Sequence, residues 1–508
     1  MTTDYRSRIT PKPSNDGAEL ATDKKLKICL ASSELTPLAK TGGLADVNAA
    51  LSAYLNEAGH DIRALIPFYS SMKRDGLKIE PVANLQNLSI SIGSRSFRYS
   101  IDVTILPATK LPVYLLRCPT LYDRPGIYTQ GGDEHLRFIL LSRVAIEMCQ
   151  RMRFAPDIFH CHDWHTALIP IFLRTLYAWD KLFADTRSVM TIHNIGYQGV
   201  FGAEIRGDLG LGDGEYLLHQ DDLSAGRINF LKAGLLYADF LTTVSPTYAQ
   251  EIQGTEYGMG LDDILRNRSD SLIGILNGVD YSEWNPKTDP LIPQNYTSKD
   301  LSGKEFCKQA LMNELGLTGG TDRPLIGIVS RLVGQKGIDL MERVLPTLLA
   351  QRNFSLAVLG NGEARFERFF DSLQQAARSR VSFYRGYNNK LAHWIEAGSD
   401  MFLMPSIYEP CGLNQMYSLK YGTIPIVRET GGLADSVEQI NAGKKAGTGI
   451  LFRDYDEAGL AWAISRALEL FDNKPLWKRI MRNGMARDFS WAQQGERYVT
   501  LFRSLAGK

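Results

Sequence analysis

The sequence predicts an α/β protein built from two open-sheet domains, and three observations carry that prediction. The chain has 508 residues, beyond the length at which one core keeps growing, so two or more domains are expected. Short apolar runs that read as strands alternate with stretches of helical periodicity, the grammar of sheets covered by helices. Around "IGILNGVDYSEWNPKTDPLIPQNYTSKD" the pattern breaks into turn and polar residues, with Asn277-Gly278 and three prolines, and the crossover between domains is placed there.

The elements follow in order. Residues 1–25 are polar, include acidic residues and lack the apolar segment of a secretion leader, so they read as a flexible tail. In the first domain, 26–276, "LKICLASSE" is a strand; from Leu44 onward Val47, Ala50, Leu51, Tyr54 and Leu55 recur at helical spacing. The same alternation continues in "DIRALIPF", "DIFHCHDWHTALIPIFL", "SVMTIHN" and "ADFLTTVSPTYAQEI", where Ser245 suits a helix N-cap and Pro246 the first turn. The second domain, 277–485, repeats it in "PLIGIVSRL", "FSLAVLGNGEARFERFF", "VSFYRGYNNKLAHWI", "DMFLMPSIYE" and "TIPIVRETGGLADSV". Residues 486–508 form a terminal helical segment.

Composition excludes several classes of function. Lys+Arg 57 against Asp+Glu 56 leaves a net charge of +1, so no global field holds nucleic acid or an acidic membrane surface. The six cysteines are scattered without a C-x-x-C pair, which points to a reducing compartment and a cytoplasmic protein. No apolar run approaches the roughly 18 residues of a membrane span.

One hexapeptide, Thr-Gly-Gly-Leu-Ala-Asp, is written twice, as Thr41–Asp46 and Thr430–Asp435. Both copies stand where a strand hands over to a helix, the ligand-binding end of an open α/β sheet. The paired glycines suggest convergence on one turn geometry that needs positive φ. Lys40 and the glycine amides of the first copy make an anion site at a helix start. Arg331 and Lys336 in "SRLVGQKG" lie just past a strand end, two cations able to meet phosphate. "LGNGE" is a further glycine loop, though its expected third glycine is Arg365 and the dinucleotide fingerprint fails. Glu409 precedes Pro410 at a loop-to-helix junction. Cys411 reads as a packed thiol, with no histidine near it in sequence. His160, His162 and His165 in "HCHDWH" raise a zinc reading, but a strand end turns His160 and His162 to one face and supplies no fourth ligand, so structural or sugar contacts are preferred.

The order of these motifs is more specific than any one of them. "SELTPLAKTGGLADV", "LYDRPGIY", "HCHDWHTALIP", "TIHNIGYQGVF", "GILNGVDYSEWNP", "VSRLVGQKGIDL", "PSIYEPCGLNQMYSLKYGTIPIVRETGGLADSV" and "DFSWAQQGERY" together resemble bacterial glycogen synthases and plant starch synthases, from about Leu26 to the C-terminus. The resemblance implies a GT-B fold, two Rossmann-like domains facing each other across a deep cleft, with the terminal helix crossing back to the first domain. It implies transfer of glucose from ADP-glucose to the non-reducing 4-hydroxyl of an α-1,4-glucan, glycogen or maltooligosaccharide, with retention and without a metal cofactor.

Carried onto this chain, the resemblance gives Lys40, Gly42 and Gly43 to the donor's diphosphate or transferring sugar, and Arg331 and Lys336 to the departing ADP in place of a divalent metal. Tyr387 would stack on adenine, the backbone of Gly412, Leu413 and Asn414, beside Cys411, would bind the distal phosphate, and Glu409 would fix donor hydroxyls. His193 would sit under the anomeric centre. Asp46, Tyr128, Asp163 and Asn277 would be sugar- or acceptor-side contacts. Glu409 as a covalent nucleophile is the alternative to same-face attack. A GT-B transferase using UDP-glucose and a catalytically idle glucan-binding protein are the rival readings; the crossover from Asn277 to Asp300 is expected to act as a hinge.

Overall fold

Strands such as Lys27–Ala31 and Ile158–His162 are buried along almost their whole length, as parallel strands covered by helices on both faces must be. In the computed structural model, which describes residues 24–129 and 131–508, the chain divides into two compact units. The first runs to Val244, resumes at Ala249–Ile275 and includes Gln494–Lys508; the second comprises Ser245–Tyr248 and Leu276–Gln493. The tail read over residues 1–25 lies outside the described residues except for Lys24 and Lys25.

The first unit is organised on a ten-stranded sheet. Its parallel part runs Leu272–Gly274, Phe240–Thr243, Arg187–Ile192, Ile158–His162, Lys27–Ala31, Asp61–Pro67 and Pro112–Arg117 in spatial order, with Ile28 opposite both Ile62 and Ile158. One edge departs from the sequence reading. Arg95–Ile105 pairs antiparallel with Pro112–Arg117, and also with Ile79–Pro81 and Leu88–Ile92, an antiparallel extension that the alternation of strand and helix did not announce.

The second unit carries six parallel strands in the order Val381–Arg385, Ser355–Gly362, Leu325–Leu332, Met401–Met404, Ile424–Arg428 and Ile450–Phe452. The "LGNGE" stretch, expected to be a glycine loop, continues the strand Ser355–Gly362. Gly360 and Gly362 are strand residues: a Cβ on either would come within 2.1 Å of the Ser330 carbonyl oxygen or 2.2 Å of that of Leu332. Close strand approach, and not a phosphate turn, requires these glycines.

Within residues 277–300, expected to act as a hinge, Asp289, Ile292 and Tyr296 are buried in the second unit, although much of the segment is exposed. Asp289 is buried and accepts from the Tyr421 hydroxyl at 2.6 Å, with His393 Nδ1 at 2.7 Å. Trp284 stacks on His393 and Tyr417 at 3.8 and 4.1 Å between ring centres.

The terminal helix is Trp491–Ala506, shorter than the 486–508 segment read from sequence. Residues before it are held differently: the Val279 amide donates to the Phe489 carbonyl at 2.7 Å, and Asp488 accepts from the Ser490 amide at 2.8 Å. Within the first unit the helix packs Tyr498 and Phe502 against His160, at 5.6 and 5.3 Å between ring centres. Phe502 is fully buried. Phe502→Ala is therefore expected to destabilise the first unit by about 3–5 kcal/mol, measured as a shift in its urea unfolding transition.

Candidate functional site

In the first unit the strand Lys27–Ala31 feeds, through Ser32–Lys40, into the helix Gly43–Glu57. The loop at the helix start is already supplied with a carboxylate. Glu34 Oε2 accepts the amides of Thr41 and, at 3.3 Å, Gly42, while Oε1 accepts the Thr41 hydroxyl at 2.7 Å and the Tyr128 hydroxyl. Gly42, expected to offer its amide to a diphosphate, thus spends it on Glu34; Gly43 and Lys40 remain at the helix start. Lys40 Nζ lies 2.8 Å from Asp46 Oδ1, which also accepts from Thr36 Oγ1 at 2.9 Å. Tyr128 was expected to contact sugar, but its hydroxyl is engaged by Glu34 and stands 2.9 Å from Ser33 Oγ. Its ring stacks on His165 at 4.9 Å.

Strand ends bring the histidines together. Ile158–His162 and Arg187–Ile192 are parallel neighbours with His160 opposite Val189. The alternation holds: His160 and His162 share a face, their rings 4.1 Å apart. His160 Nε2 is 2.7 Å from Thr191 Oγ1, and His162 Nδ1 is 2.9 Å from His193 Nε2. Burial pushes the pKa values of His160 and His193 down to about 3 and takes those of His162 and His165 well below the usual value, so all four are neutral rings at neutral pH. Asp163, read as a sugar contact, has φ +52° and turns its carboxylate onto backbone: Oδ1 accepts the His193 amide at 2.7 Å and the Asn194 amide at 3.4 Å. Burial lifts its pKa to about 7 against those two amides. Asp163 thereby fixes the turn that presents His193. His162 was not singled out as a partner of His193; only the pairing of two separate strand ends makes it one.

In the second unit Arg331 still belongs to the strand Leu325–Leu332, whereas Lys336 lies in the single 3-10 turn Gly334–Lys336 that follows. The turn must end in glycine. Gly337 has φ +73°, and a Cβ there would meet the Pro405 carbonyl oxygen at 2.0 Å. The Ile407 amide donates to the Gln335 carbonyl at 2.9 Å and Gln335 Nε2 to the Tyr408 carbonyl at 3.1 Å. This zipper brings Lys336 Nζ to 2.6 Å from Glu409 Oε2, which also accepts from Ser406 Oγ at 3.0 Å. Glu409 is buried.

Next along the chain, Cys411 is buried, its thiol pushed up to about 12 chiefly by desolvation, with Asn277 hydrogen-bonded to it. It is the inert thiol the sequence suggested, and Asn277 belongs with it. Gly412 has φ +69° and leads through Leu413 into the helix Asn414–Tyr421. Asn414 Nδ2 holds the Val329 carbonyl at 2.9 Å. Tyr387 follows Gly386 between a strand and a helix and is 69% exposed, its hydroxyl donating to Asn389 Oδ1 at 2.7 Å.

The two copies of the hexapeptide do not share a turn. In the first, Gly42 is extended, with φ −160°, and a fifteen-residue helix follows. In the second, Gly431 has φ +43° and the helix is six residues long. The second copy serves Glu409: the Gly432 amide donates to the Glu409 carbonyl at 3.1 Å. Its Asp435 accepts from the Thr247 amide at 2.9 Å and the Thr247 hydroxyl at 2.7 Å.

Two open, mostly parallel sheets with glycine and basic loops at strand ends are the architecture of a GT-B glycosyltransferase. Residues 27–267 match the starch synthase catalytic domain, and residues 317–484 match the group 1 glycosyl transferases. The chain is 44% identical over 481 residues to the glycogen synthase of Koribacter versatilis, covering 94% of this chain and 98% of that protein. It is likewise 44% identical over 488 residues to that of Myxococcus xanthus, covering 95% and 100%. The catalytic domain of starch synthase IV from Arabidopsis thaliana, bound to ADP and acarbose, superposes with a TM-score of 0.88 at 35% identity, over 96% of this chain and all of that one. The chain belongs to the glycogen and starch synthase family.

The buried histidines give the first unit a pH signature. Below pH 6.5 the unfolded chain protonates His160, while the folded one refuses the proton until about pH 3, so the stability is full above pH 6.5 and lost as pH falls through that window. At pH 5 the loss is about 2 kcal/mol for this histidine. Asp163 acts oppositely: it keeps its proton up to about pH 7 when folded, giving stability below about pH 4 that is lost as pH rises through 7. Four depressed histidines outweigh one raised carboxyl. The unfolding midpoint is expected to fall from pH 7 to pH 5, and His160→Asn to shrink that fall in thermal melts at the two pH values.

Proposed function

We propose that the chain acts as a glycogen synthase, transferring glucose from ADP-glucose to the non-reducing 4-hydroxyl of an α-1,4-glucan with retention at the anomeric carbon. The observation that carries this reading is the Lys336–Glu409 ion pair beside the start of the helix Asn414–Tyr421: a cation for the departing diphosphate, a carboxylate for sugar hydroxyls and backbone amides for the distal phosphate, within one loop system.

As the glycosidic bond breaks, negative charge collects on the leaving ADP. Arg331 and Lys336 meet it in place of a divalent metal, and the amides at Gly412, Leu413 and Asn414 add fixed dipoles. Exposed Tyr387 supplies a face for the adenine ring. In the first unit Lys40 and Gly43 serve the donor, with Asp46 orienting Lys40. His193, neutral and fixed by His162 and Asp163, offers its ring and carbonyl to the positive anomeric carbon without a competing charge.

Glu409 Oε2 accepts from both Lys336 and Ser406. A carboxylate oxygen so engaged is a weakened nucleophile, which supports same-face attack, with Glu409 holding the donor. Trapping of a covalent glucosyl-Glu409 would overturn that role.

Among the described residues no helix is long and apolar enough to cross a membrane. All six cysteines are buried free thiols, which supports the reducing cytoplasm as the site of action.

Purified protein given ADP-glucose and glycogen is expected to release ADP only with glucan present, and equally with a chelator; release of UDP from UDP-glucose instead would move the donor. Lys336→Ala is expected to stay folded and to lose at least about 10²–10³ in kcat. Steady-state turnover checks this, and near-full turnover in that variant would remove the role given to Lys336.

A further inference from the structure

Glu34 is only 2% exposed, and its carboxylate receives four hydrogen bonds, three of them from Thr41 and Gly42. A buried carboxylate is costly unless donors surround it, and here the donors lie directly between Lys40 and Gly43. Glu34 is itself fixed from behind: Asn48, on the helix Gly43–Glu57, donates to its carbonyl at 3.2 Å and to Ser32 Oγ at 2.6 Å.

Leu38 and Ala39 are buried, but packing does little to hold the two residues that follow Lys40. Thr41 is exposed, and a Cβ built on Gly42 would meet nothing within 4 Å. Nor does the backbone enforce their path, since Gly42 is extended and open to any residue. Besides the Lys40–Asp46 pair, it is the Glu34 carboxylate that holds Thr41 and Gly42, and its fourth bond ties the same point to Tyr128.

We propose that Glu34 is a positioning residue for glucosyl transfer: its carboxylate sets the place of Lys40 and Gly43 and couples their loop to Tyr128. Its own contacts are to the loop and to Tyr128. The inference rests on the reading of Lys40 and Gly43 as donor contacts.

Geometry separates this role from one played by charge. In Glu34→Gln the amide oxygen can take the place of Oε2 and accept both backbone amides. The new NH2 group then donates to the Thr41 and Tyr128 hydroxyls, each able to accept. All four contacts survive without the negative charge. Glu34→Ala removes them all.

The test compares full-length wild type, Glu34→Gln and Glu34→Ala in ADP-glucose and glycogen kinetics, with hydrogen exchange at the Thr41 and Gly42 amides. Glu34→Ala is expected to lose about 10²-fold in kcat/KM for ADP-glucose, the scale of a misplaced contact, with KM for glycogen little changed and both amides exchanging faster. Glu34→Gln is expected to rescue most of the loss and restore slow exchange. Equal impairment of the two folded variants would overturn the proposal in favour of charge, and wild-type kinetics in Glu34→Ala would overturn it outright. If Glu34→Ala does not fold, Glu34→Gln decides: activity near wild type supports positioning and its loss overturns it. A wild type that transfers no glucose would refute the function above, whereas the exchange rates would still report on Glu34's hold over the loop.

Discussion

Backbone laid against backbone, with no room for a side chain between, is the constraint on which the rest of the second unit's site depends. A Cβ on Gly431 would come within 2.0 Å of the Glu409 carbonyl oxygen, and one on Gly432 within 2.1 Å of that of Cys411. The loop carrying Glu409 has no ladder of its own, so this contact, with the hydrogen bonds from Gln335 and Ile407, gives it a shape. Glu409 then meets Lys336, and Gly412 reaches the left-handed turn that opens the following helix. Gly337 repeats the device against Pro405.

The first unit solves a similar problem by other means. Its glycine loop lies in open space and is held by a carboxylate, while the turn at His193 is held by Asp163 through backbone amides. Both devices place acidic groups where they receive hydrogen bonds from main chain. The histidines nearby are kept neutral by burial.

Much of this was legible in the sequence. Hydrophobic runs and helical spacing located five of the ten strands of the first sheet and five of the six of the second, and the Ser245 N-cap is real, its hydroxyl accepting the Tyr248 amide at 3.0 Å. Of the residues that the structure gathers around Glu409, Lys336 was named from motif order, whereas Ser406, Gln335 and Gly432 were not. What could not be read was the use to which identical letters are put. Thr-Gly-Gly-Leu-Ala-Asp adopts two backbones because its neighbours differ: one copy lies beside a carboxylate, the other beside a carbonyl. Gly360 and Gly362 resembled a ligand loop because sequence cannot show a strand pressed against its neighbour. Glu34's role and the pairing of His162 with His193 escaped notice for the same reason, since the partners lie 7 and 31 positions away.

The division of the chain carries a consequence for how it can be cut. Ser245–Tyr248 belongs to the second unit although the sequence on both sides belongs to the first, and Thr247 is pinned to Asp435 there. The residues from Gln494 onward return to the first unit. A break at residue 275 would therefore leave the leading fragment without its terminal helix and the trailing one without the segment its own aspartate grips. The two halves resemble separate modules in architecture, yet they are interlocked in inheritance: neither can be exchanged between relatives as a single uninterrupted stretch of gene.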